Sequence, residues 1–119
     1  MSIIFLYNSH SNILNIDKKT LLNCSAYHLR SQLNLNNQYS IKEKNLYQYH
    51  EKYFNTLNNL YLSQYPESSQ ADFILSVTSI MEFWSYNSQE LGSSASDLKI
   101  NTEFQRPCNS IFSEIKLFP

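Results

Sequence analysis

Residues 69–92 read SQADFILSVTSIMEFWSYNSQELG, and this stretch decides the fold. Phe73, Val77, Ile80 and Trp84 recur at spacings of four, three and four, which places them on one face of an α-helix. Leu91 returns to that face, and Ile74 and Met81 widen it. Ser69 is suited to cap the first turn and Asp72 to reciprocate, with its carboxylate at the positive end of the helix dipole. Gly92, the only glycine, stands where a helix can end in a left-handed residue. The opposite face carries Leu75, Phe83 and Tyr86 beside Ser79 and Glu82. A helix that is apolar nearly all round is normally buried on several sides. The stretch is therefore expected at the centre of the core; the alternative is that Leu75, Phe83 and Tyr86 meet a partner protein.

Working outward, Asp17 marks the start of an earlier helix, with Ile16 and Leu21 placed for a hydrophobic staple. Leu22, Ala26, Leu29 and Leu33 form its expected buried stripe. Before it, the apolar run Ile3–Tyr7 is expected to be buried and His10–Asn15 to be a loop. After an amide-rich turn at Asn34–Tyr39, Ser40 and Glu43 form a capping-box pattern opening a helix to about Ser63, ahead of Pro66. Its core face is read as Leu46, Tyr53, Leu57 and Leu60, and its outer face as Asn45, Gln48, Lys52, Asn55 and Asn59. Beyond Gly92, Ser93–Ser96 reads as a loop, Asp97–Pro107 as irregular, and Asn109–Phe118 as a short terminal helix.

The composition agrees with this helical reading. One glycine in 119 residues, where average usage supplies about eight, removes the usual tight hairpins, phosphate loops and dinucleotide fingerprints, which need positive φ or close backbone approach. The expected fold is all-α: a single-domain bundle of four or five helices around a long central helix at about 69–91. A net charge of −1 and no basic run longer than Lys18–Lys19 give no electrostatic footprint for nucleic acid or an anionic membrane. No stretch reaches the length of a membrane span, and the N-terminal residues lack the features of a signal peptide. Cys24 and Cys108 are accordingly expected as free thiols of a cytoplasmic protein.

Three constellations carry possible chemistry. Cys24 and His28 lie four apart on one helix side, the spacing of a thiolate nucleophile with its base or of half a zinc site. Zinc needs two further ligands, and His10, His50 and Cys108 are scattered without ligand spacing, so ordinary packing is expected of the pair. His50 falls on the apolar face of its helix, where a hydrogen bond across the bundle would satisfy it. Glu82 and Glu90 are about 12 Å apart along a helix, too far for an acid–base pair. Nine tyrosines are present, and Tyr39, Tyr47, Tyr49, Tyr53, Tyr61 and Tyr65 lie in or beside the second helix, suited either to an interface or to the core boundary.

The expected function is a non-catalytic protein-binding module that needs no cofactor or metal. Its profile fits an immunity or antitoxin-type inhibitor, bacterial or phage-encoded, that blocks a partner such as a toxin or nuclease. Leu75, Glu82, Phe83, Tyr86 and Glu90 are the candidate contact residues. The alternatives are a small enzyme or enzyme subunit using Cys24 and His28, or a helical nucleic-acid-binding regulator.

Overall fold

A computed structural model describes residues 16–35, 37, 40–91 and 93–115. Four α-helices account for nearly all of them: α1 (Lys18–Asn34), α2 (Ile41–Gln64), α3 (Gln70–Leu91) and α4 (Ser93–Ile115). No strand occurs among the described residues, and the protein is an all-α helical bundle. No described helix is long and apolar enough to cross a membrane. The expectations for Ile3–Tyr7, His10–Asn15 and the Gly92 cap lie outside the described residues.

The helix starts follow from the side chains that satisfy their first N–H groups. Asp17 accepts from the Thr20 backbone N–H at 3.1 Å and from its hydroxyl at 2.7 Å. These bonds hold the Asp17 carboxyl below the usual carboxylate range. At α2 the capping box is complete, with Glu43 N–H donating to Ser40 Oγ and Ser40 N–H to Glu43 Oε1, each at 3.1 Å. Ser69 and Asp72 repeat it at α3, at 3.1 and 3.0 Å. Both reciprocal caps stand where the sequence places them.

On α3 the centre of the stripe is as expected, with Phe73, Val77 and Trp84 buried and Ile80 and Met81 half-buried. Ile74, expected to widen it, is exposed because no described helix packs over that side, and the Leu91 side chain lies outside the described ones. Phe73 packs its ring against Tyr61 and Phe54 of α2, with centroids at 5.2 and 5.7 Å. Trp84 meets Phe104 of α4 at 5.1 Å. The central place expected for this helix is not what the packing shows. Its second face, with Leu75, Phe83 and Tyr86, is exposed. The most enclosed segment is Cys24–His28 of α1, five consecutive buried residues.

The buried face of α1 also differs from the expected Leu22–Ala26–Leu29–Leu33 stripe. Leu21, Cys24, Ser25 and His28 point inward together with Ala26 and Tyr27, while Leu22 and Leu29 are half-buried and Leu33 is exposed. Burial here follows partners rather than hydrophobicity. Ser25 donates its hydroxyl to the Leu21 carbonyl at 2.7 Å, Cys24 is bonded to Cys108, and His28 meets His50. The Ser25 hydroxyl and the facing Nδ1 atoms of the two histidines are hydrogen-bonded, which lowers the usual cost of enclosing them. On α2 the inward face is His50, Tyr53, Leu57 and Tyr61, with Leu46 exposed and Leu60 half-buried. Most of the tyrosine cluster thus serves the core, and the amide face of Asn45, Gln48, Lys52, Asn55 and Asn59 is exposed.

The largest departure is α4. Where the sequence reads as a loop, an irregular region and a short helix, one helix runs through Pro107. Ile100, Phe104, Cys108 and Ile111 make its inward stripe, with Phe104 half-buried and the others buried. Proline removes one backbone donor and crowds the carbonyl four residues earlier, that of Glu103. Pro107 and Glu103 are both exposed, so solvent can take that carbonyl and the break in the ladder falls outside the core. Continuity is reinforced from α1: a disulfide joins Cys24 to Cys108, and Arg30 pairs with Asp97. The free thiols expected from the sequence are therefore a bonded pair.

Candidate functional site

The outer face of α3 gathers the candidate contact residues. At roughly 100° per residue, positions 75, 82, 83, 86 and 90 fall within about one quadrant to one third of the helix surface. Leu75, Phe83 and Tyr86 are 66, 63 and 65 % exposed, and Ile74 beside them is 40 % exposed. Three bulky apolar groups on one helix face form the kind of patch that marks an interaction site; singly scattered ones would not. Glu82 is exposed among them. Glu90 belongs to the same helix, and its side chain is outside the described ones. The helix carries Asp72, Glu82 and Glu90 and no lysine or arginine. This face is apolar at the centre and α3 contributes only negative charges to it, while Lys19 and Lys99 of the neighbouring helices border it beside Phe83.

Cys24 and His28 do not form a nucleophile–base pair. Cys24 is committed to Cys108, and a disulfide sulfur is not the thiolate that nucleophilic catalysis or zinc ligation requires. The His28 ring instead faces His50 of α2, with their Nδ1 atoms 2.8 Å apart. One Nδ1–H donates to the other's Nδ1 lone pair, so the contact needs at least one ring neutral. Tyr27, Tyr49 and Tyr53 ring the pair, with centroids 4.9–6.0 Å from the His28 ring. Burial first, and then the neighbouring His50, pushes His28 down to about 3. Burial lowers His50 as well. It also raises the phenols of Tyr27 and Tyr49. The cluster is a neutral, hydrogen-bonded plug, and Tyr49 ties it to α4 by donating to Asn109 Oδ1 at 2.7 Å.

The hydrogen bond across the bundle expected for His50 is present, but its partner His28 is not legible from either helix alone. Each histidine sits on an inward stripe, which is the only signal that they meet. Among the described residues no group of three or more His, Cys, Asp and Glu side chains could hold a metal ion. A cleft of about 500 Å³ between α1, α3 and α4, lined by Trp84 and Phe104 with Lys19 and Lys99, had no counterpart in the sequence patterns. No protein-family model matches the chain, and no curated protein or solved structure shows significant similarity to it.

Proposed function

We propose that this protein is a non-catalytic binding module that occupies the surface of another protein through the outer face of α3. The observation carrying this reading is the exposed set Leu75, Phe83 and Tyr86 on one helix face. An apolar centre within a charged rim is the usual anatomy of a binding hot spot. The charge of the helix supports a basic partner. A helix with three carboxylates and no basic residue repels a second copy of itself and attracts an apolar patch edged by lysine or arginine. An inhibitor of the immunity or antitoxin type works in this way, by blocking a basic surface such as that of a nuclease, and needs no reaction of its own. The Cys24–Cys108 disulfide favours an oxidising compartment over the cytoplasm as the place where it acts.

The test is a comparative capture. Wild type, Glu82→Lys, Glu90→Lys and Tyr86→Ala are used as bait, and the retained partner is titrated against each. Binding should weaken by about 1–3 kcal/mol in the variants, with melting temperatures nearly unchanged. Equal losses in binding and in thermal stability would count against the interface, as would a dimer of the free protein by light scattering that the Tyr86 variant abolishes.

A further inference from the structure

The cleft between α1, α3 and α4 is separate from the hydrogen-bonded histidine cluster and combines an aromatic floor with a cationic rim. Ile80 and Trp84 come from α3, and Ile100 and Phe104 from α4. The Trp84 and Phe104 rings pack against each other, 5.1 Å apart and 39° inclined, and form one joined aromatic surface between two helices. Phe83 lines the same cleft and is mostly exposed, so it forms a wall that an incoming ring can cover. Three aromatic side chains favour a planar guest, since offset or edge-on ring contacts add to the gain from area alone. The volume, about 500 Å³, lies within the usual range for small-molecule sites.

The polar lining selects the guest's charge. Lys19 reaches the cleft from α1 and Lys99 from α4, against one carboxylate, Glu103. Among the described residues neither lysine makes an ion pair. Asn23 and Asn87 add amide donors at the same cleft. Two ammonium groups and one carboxylate leave a single positive charge to be balanced. We infer that this cleft is a binding site for a small planar aromatic carboxylate, its ring laid against Phe83 and the joined Trp84–Phe104 surface and its anion held by Lys19 and Lys99. The inference goes beyond the proposed protein-binding face, with which the cleft shares Phe83, and is argued from the cleft's own lining.

The chain has a single tryptophan, so Trp84 gives one indole N–H signal to follow. The experiment titrates 15N-labelled protein with 2-naphthoate, its neutral isostere 2-naphthamide, and decanoate. A saturable shift of the Trp84 indole and of the Ile80 and Ile100 amides is expected with naphthoate. The amide should bind about five- to tenfold more weakly, the yield of two solvent-screened charge contacts. In Lys19→Gln/Lys99→Gln that preference should vanish while the spectrum stays folded, both lysines being exposed. Absence of saturable shifts at millimolar naphthoate, equal binding of acid and amide, tighter binding of decanoate, or shifts centred on Tyr27 and His50 would each overturn the assignment. The acid–amide comparison on wild type decides the matter even if the double variant does not fold.

Discussion

His28 and His50 face each other through their Nδ1 atoms at 2.8 Å, inside a ring of tyrosines. A proton added to both rings would break this contact and place two like charges in a buried site. The folded pKa values are depressed below the ordinary 6.5, to about 3 for His28. The unfolded chain therefore takes up protons that the folded chain refuses. Stability is full above about pH 6.5 and declines as pH falls through that value toward the folded ones.

The decline should approach about 1.4 kcal/mol per pH unit for each histidine that titrates only on unfolding. Urea unfolding measured from pH 7 to pH 5 tests this, a window above the range where Asp17 and Asp72, both held low by their caps, begin to protonate. Replacing both rings, in His28→Leu/His50→Leu, removes donor and acceptor together and should flatten the slope. A double variant with the wild-type slope would assign the acid sensitivity elsewhere.

Two phenylalanines on α3 provide an internal control for which face is core. Phe73 is fully buried against Tyr61 and Phe54, whereas Phe83 is mostly exposed. Phe73→Ala should cost about 3–5 kcal/mol, from lost transfer energy plus a cavity. Phe83→Ala should stay within about 0.5 kcal/mol. Similar losses for both in a denaturant melt would mean that α3 is enclosed on both sides.

Pro107 lies inside α4 on an exposed turn. Restoring the missing N–H and relieving the clash with the Glu103 carbonyl, Pro107→Ala should stabilise the fold by about 1–3 kcal/mol. A thermal melt reads the gain directly. An unchanged or lowered melting temperature would show that the helix does not run through this position.

The Cys24–Cys108 bond spans a sequence separation of 84. Cross-links of this span typically contribute about 2–4 kcal/mol by restricting the unfolded chain. Reduction, or Cys24→Ser with Cys108→Ser, should lower stability by that amount. Alkylation in denaturant without reductant should label neither cysteine; labelling of both would contradict the bond.

What could be read in advance was whatever is encoded within a few residues. The Ser40–Glu43 and Ser69–Asp72 caps, the Phe73–Val77–Trp84 stripe and the candidate residues of the second α3 face are all spelled out locally. Whether Leu75, Phe83 and Tyr86 face solvent is not local, because it depends on how many neighbours surround the helix. The inward face of α1 was obscured for a related reason. Cys24 and His28 are polar or ambiguous by themselves, and their burial is licensed by partners 84 and 22 residues away. In α4 the stripe Ile100–Phe104–Cys108–Ile111 was masked by Pro107, a strong local breaker that tertiary packing overrides. The cleft could not be anticipated, since its lining comes from three helices.

The disulfide also changes what the chain can do under tension. Residues 24 to 108 form a covalent ring that contains most of α1, all of α2 and α3, and the larger part of α4. Force applied at the two ends passes through the sulfur atoms and leaves the ring slack. The enclosed segment, roughly 280–300 Å of contour at the extended rise per residue, is withheld from extension until the bond is reduced. Reduction releases that length, so that under the same load the oxidised chain extends less than the reduced one by the contour of the ring.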